Sequence, residues 1–69
     1  MSRADALDLE LYEEVTDILE AAEQHESRLT PWEVDFVADL QERVSLWGQR
    51  VRITDAQIEV LRRIERRIG

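Results

Sequence analysis

The chain has 69 residues, 43% of them hydrophobic, and a formal net charge of −7, which leaves room for one domain with a thin core. It has no Cys and a single His, His25, so disulfides, thiolate metal sites, a nucleophilic Cys and an imidazole-rich metal centre are excluded. No apolar run approaches the roughly 20 residues of a membrane span, and the segment Met1-Ser2-Arg3-Ala4-Asp5 lacks the apolar stretch of a signal peptide. Composition therefore points to a small intracellular interaction protein. Chains this short commonly gain stability from a partner subunit, so a homodimer is expected.

The charge is unevenly distributed. Residues 1–27 carry nine acids and one base, residues 28–49 four acids and two bases, and residues 50–69 three acids and six bases. All nine bases are Arg, through either the codon bias of a GC-rich genome or selection for planar, bidentate donors.

Gly and Pro are scarce and fall where helices should begin or end, and no segment alternates with period two for long. The expected fold is all-α with three helices, about 5–27, 31–47 and 55–68. The first is a long acidic helix. Ser2 with Asp5 forms a capping-box-like start, and acids crowd the first turns, where the macrodipole favours them. Its apolar positions follow a heptad rhythm through Ala4, Leu11, Val15, Ile18, Ala22, His25 and Leu29, which Asp8 interrupts. A helix of that span measures about 35 Å. That length suits packing on its own domain and also on a second copy, with Leu11, Val15, Ile18 and Ala22 as the dimer interface.

The second helix has the clearest start. Thr30-Pro31-Trp32-Glu33 places Thr at N-cap, Pro at N1 and Glu at N3, with Leu29 and Val34 as a hydrophobic staple. Its apolar face runs through Phe36, Val37, Leu40, Val44 and Trp47, and Gly48 supplies the stop. The third helix repeats this grammar with Thr54-Asp55-Ala56-Gln57 and a staple of Ile53 and Ile58. Ile58, Leu61, Ile64 and Ile68 form its stripe, and Arg62, Arg63, Arg66 and Arg67 load its last turns. The link from Gln49 to Ile53 reads as extended, with space for one strand-like turn.

No catalytic chemistry is expected. Acids spread around a helix normally form a solvated face. The residue three before His25 is Ala22, which breaks the Glu-x-x-His spacing of a helical carboxylate metal site. Ser2, Ser27 and Ser45 have only His25 as a base and no Gly-rich nucleophile turn. Gly48 and Gly69 are the only glycines, so there is no phosphate-cradling loop. Neither a cofactor nor a metal is expected. His25 reads as a boundary histidine packed or bonded across an interface, with a pH switch as the alternative. Trp32 and Trp47 read as either core anchors or partner contacts.

The second and third helices resemble a helix-turn-helix in outline, so a small DNA-binding regulator is the alternative function. Against it stand a connector of about six residues, arginines at the wrong end of the third helix, and an acidic first helix that repels phosphate. Nucleic acid is not the expected partner. The acidic helix suits the basic surface of a DNA-binding protein or nucleotide-handling ATPase. Glu13, Asp17 and Glu20, with Trp32, Trp47, Arg62 and Arg66, are the candidate partner-binding residues.

The stretch Leu29-Thr30-Pro31-Trp32-Glu33-Val34-Asp35-Phe36-Val37, followed by Ile53-Thr54-Asp55-Ala56-Gln57-Ile58-Glu59-Val60-Leu61-Arg62-Arg63-Ile64, resembles a helical pair found in small bacteriophage proteins. With its acidic leader helix, the whole chain resembles the early host-takeover proteins of Mu-like transposable phages of Pseudomonas. The resemblance implies a dimeric helical protein in the host cytoplasm that binds host proteins without catalysis. The targets it implies are an acyl-homoserine-lactone-responsive (quorum-sensing) transcription activator, whose DNA binding it blocks, and the type IV pilus assembly ATPase. Binding the ATPase would give superinfection exclusion. The resemblance assigns no contact residues.

Overall fold

The computed structural model describes residues 8–68, which form three α-helices: α1 (Leu9–Gln24), α2 (Pro31–Trp47) and α3 (Asp55–Ile68). Single 3-10 turns, Glu26–Arg28 and Gly48–Arg50, close the two connections. There is no strand among the described residues. The all-α, three-helix architecture is the expected one, and α2 and α3 have the expected bounds.

Those bounds are exact because each start is fixed by reciprocal local bonds. The Thr30 backbone N–H donates to Glu33 Oε1 at 2.9 Å, and the Glu33 N–H donates to Thr30 Oγ1 at 3.2 Å. At α3 the Thr54 N–H donates to Gln57 Oε1 at 3.0 Å, and the Gln57 N–H donates to Thr54 Oγ1 at 3.1 Å. Both boxes satisfy amide groups that a helix start otherwise leaves without partners. Gly48 ends α2 at φ 58°, ψ −137°, a backbone conformation that a side chain would strain.

The first helix is shorter than expected at both ends. Asp8, at ψ 146°, stands outside the helix as its N-cap residue, so α1 begins at Leu9 and not near Asp5. The proposed Ser2–Asp5 start and Ala4 lie outside the described residues. At the other end α1 stops at Gln24 instead of Ser27, because His25 leaves helical geometry at φ −121°, ψ 38°. The chain must then turn back and present extended residues before Pro31. It does so through the tighter bonds of a 3-10 turn, Arg28 N–H to His25 O at 2.9 Å and Leu29 N–H to Glu26 O at 3.0 Å. The link expected to be extended, with space for one strand-like turn, begins instead with a 3-10 turn, and its residues 51–54 lack regular structure.

One core joins the three helices. It holds Val15, Ile18, Leu19 and Ala22 of α1, Val37 and Leu40 of α2, and Leu61, Ile64 and Ile68 of α3. Leu29 and Ile53, the expected staple residues, pack against its margin. Buried Val51 anchors the second connection.

This core corrects the expected dimer interface. Val15, Ile18 and Ala22 are each 2% exposed or less within the single chain, and Leu11 packs at the edge of the same cluster. The heptad seam of α1 is filled by its own α2 and α3. A second copy has no access to it.

Candidate functional site

The candidate residues lie on the outward sides of the helices. Two shallow depressions, of about 140 and 210 Å³, flank Gln41 between α1 and α2. Gln41 spans this junction by donating to the Leu19 carbonyl at 3.4 Å and to Glu23 Oε1 at 3.3 Å. Among the described residues no group of three or more His, Asp or Glu is placed to hold a metal ion.

Burial of Val15, Ile18 and Ala22 on one side of α1 forces the acidic positions to the other side. Glu10, Glu13, Asp17 and Glu20 are all exposed, and their spacing of three, four and three keeps them on one face. The candidates Glu13, Asp17 and Glu20 are therefore neighbours on one continuous strip. Glu14 leaves it, because its side chain turns to α3. Arg62 Nε donates to Glu14 Oε2 at 2.8 Å and Arg62 Nη2 to Glu14 Oε1 at 3.1 Å, a two-pronged guanidinium–carboxylate clamp. That bond holds the Glu14 carboxyl below its ordinary pKa and raises the Arg62 guanidinium above its own.

Of the basic candidates, Arg62 thus serves the fold. Arg67, about a turn and a half nearer the end of α3, pairs with Glu33 of α2. The Glu33 carboxyl is held below its ordinary pKa, first by the Thr30 N–H and then by Arg67. These two pairs tie the basic end of α3 to α1 and α2, while all four arginines, Arg62, Arg63, Arg66 and Arg67, stay exposed. The cationic surface that a recognition helix would offer to phosphate is reduced accordingly.

His25 is exposed, and its Nδ1 lies 3.0 Å from the Ala21 carbonyl. A carbonyl only accepts, so the ring donates from Nδ1 and caps its own helix. The histidine expected to bond across an interface bonds four residues back along the chain.

Trp32 and Trp47 are not core residues. They are 61% and 62% exposed, and the adjacent Leu46 is 71% exposed. Trp32 stacks on Phe36, with ring centroids 5.1 Å apart and planes 16° apart. Arg43 and Asp39 pair between the two ends, Nε to Oδ2 at 3.3 Å. Phe36, Leu46, Asp39 and Arg43 were not singled out by sequence reasoning as a surface. The usable signal was the spacing of 32, 36, 39, 43 and 47, which marks a second stripe on α2 beside the core stripe of Val37, Leu40 and Val44.

The partner-binding candidates therefore fall in three places: an acidic strip on α1, an aromatic stripe on α2, and a partly clamped basic end on α3. Comparison with protein-family models, curated proteins and solved structures gave no match.

Proposed function

We propose that the protein works by stoichiometric binding, without catalysis, and that the acidic strip of α1 occupies a basic surface on a host protein. The observation that carries this reading is the one-sidedness of α1: its apolar side is consumed by the core, while Glu10, Glu13, Asp17 and Glu20 face outward together. Such a strip competes for a surface built to receive a polyanion, and its field accelerates encounter with a cationic partner.

The resemblance to early phage host-takeover proteins supplies the class of target. In this reading the protein is a phage anti-activator acting in the host cytoplasm. It covers the DNA-contacting surface of a quorum-sensing transcription activator and also engages the type IV pilus assembly ATPase. A tagged chain used as bait in lysate of a Pseudomonas host should enrich the activator or the ATPase, and free DNA should compete with the activator. Enrichment of neither protein would overturn the assignment of targets.

A further inference from the structure

The aromatic stripe of α2 fits a partner whose identity the stripe itself encodes. From N- to C-terminus it presents Trp32, Phe36 (half-buried against the core), Asp39, Arg43 and the Leu46–Trp47 pair, so apolar groups stand at both ends and one acid and one base stand between them. A surface of that order is complementary to its own reverse. Two such helices laid antiparallel, with a two-fold axis at the level of Gln41, bring Asp39 against the partner's Arg43 and Phe36 against the partner's Leu46. The same register sets Trp47 beside the partner's Asp35, where the indole N–H has an acceptor in reach of its helix. We propose that this face of α2 is an isologous homodimer interface, occupied by a second copy of the chain.

One feature favours a second copy over an unrelated protein, and two more mark this face as an interface. The central charges, which pair with each other along the helix, are opposite and lie one turn apart, and a two-fold axis doubles them into a cluster of four alternating charges. The side chains are of the types enriched at interfaces: two Trp residues and a Phe toward the ends of the patch and an Arg near its middle. The exposed parts of Trp32, Leu46 and Trp47 offer on the order of 400 Å² of apolar surface per chain. That is about half of an interface of standard size, about 800 Å² per partner, set in two patches at the ends of the stripe, with the charged middle and the flanks of α2 supplying the remainder. The dimer leaves the α1 strip uncovered, since the two surfaces share no residue. It holds whether or not the proposed host targets are right.

The test is the mass of the intact chain in solution, by sedimentation equilibrium, across about 1–100 µM. The expected mass is twice 8.1 kDa, and the Asp39→Arg chain and the Arg43→Asp chain should each sediment as monomers with unchanged far-UV circular dichroism. Mixed one to one, these two variants should form a heterodimer, because every opposed pair is again of opposite charge. The doubly exchanged Asp39→Arg, Arg43→Asp chain should dimerise like the wild type. A wild-type chain that stays monomeric at the highest concentration overturns the proposal. So does a dimer whose mass is unaffected by either single variant and by Trp47→Ala, since that dimer uses another face.

Discussion

Thr54 and Thr30 show how much of this fold is written into four-residue windows. Each accepts from the amide three residues on while a Glu or Gln side chain returns the bond, and nothing beyond that window is needed. Replacing Thr54 by Ala should cost about 1 kcal/mol, measurable as a lower urea midpoint with an unchanged slope. The ends of α1 were less legible for the complementary reason. Asp8 is a good capping residue type inside a helical pattern, and His25 bonds back to Ala21, a choice that depends on the reversal demanded by Pro31. Glu14 and Glu33 were legible as acids and not as clamps, because their partners Arg62 and Arg67 lie 48 and 34 residues away. Both carboxyls are held below the ordinary value of 4.5. Their contribution is therefore fully present above that value and is lost as pH falls through the lower folded values. Acid also relieves repulsion along the α1 strip, so the informative quantity is a difference. The stability gap between wild type and Glu14→Gln should be constant from pH 7 to about 5.5 and shrink below about pH 4.5. Chemical denaturation at each pH reads it directly.

At the scale of elements, periodicity told apart core and surface wherever a helix has one apolar stripe. Ile58, Leu61, Ile64 and Ile68 are all buried, as their spacing demands. It failed where a helix has two stripes or where one stripe has two possible users. On α2 the spacing groups Trp47 with Val44 and Leu40, yet only the latter two reach the core. On α1 the heptad rhythm of Leu11, Val15, Ile18 and Ala22 is equally good grammar for a coiled-coil seam and for a bundle core. Three helices of this length have too little other apolar surface to release that seam, and the core takes it. The consequence separates the two uses. Val15→Asp with Ile18→Asp places carboxylates in the chain's own interior, at a cost of several kcal/mol against a total of about 5–15 kcal/mol. The doubly substituted chain should lose its helical circular dichroism, whereas disruption of an intermolecular seam would leave a folded monomer. Leu61→Ala, at a fully buried position, should cost about 2–5 kcal/mol, read as a large fall in the urea midpoint.

At the scale of the whole molecule, the net charge of −7 resolves into separate surfaces. The basic end of α3 is partly neutralised by clamps to the other helices, and the acids of α1 stand clear on the opposite side of that helix from the core. Charge asymmetry along the sequence thus became charge asymmetry in space, which is why the acidic strip was legible before the fold was. The identity of the surface proposed to meet it was not legible, since a field selects a sign and a shape rather than a protein. The measurement that bears most directly on the central claim is the affinity for the DNA-binding domain of a quorum-sensing activator, taken side by side for wild type and for the chain carrying Glu13→Arg, Asp17→Arg and Glu20→Arg. The account predicts binding by wild type that weakens with added salt and a loss of at least about tenfold in the triple variant. Equal affinity of the two folded chains would contradict it.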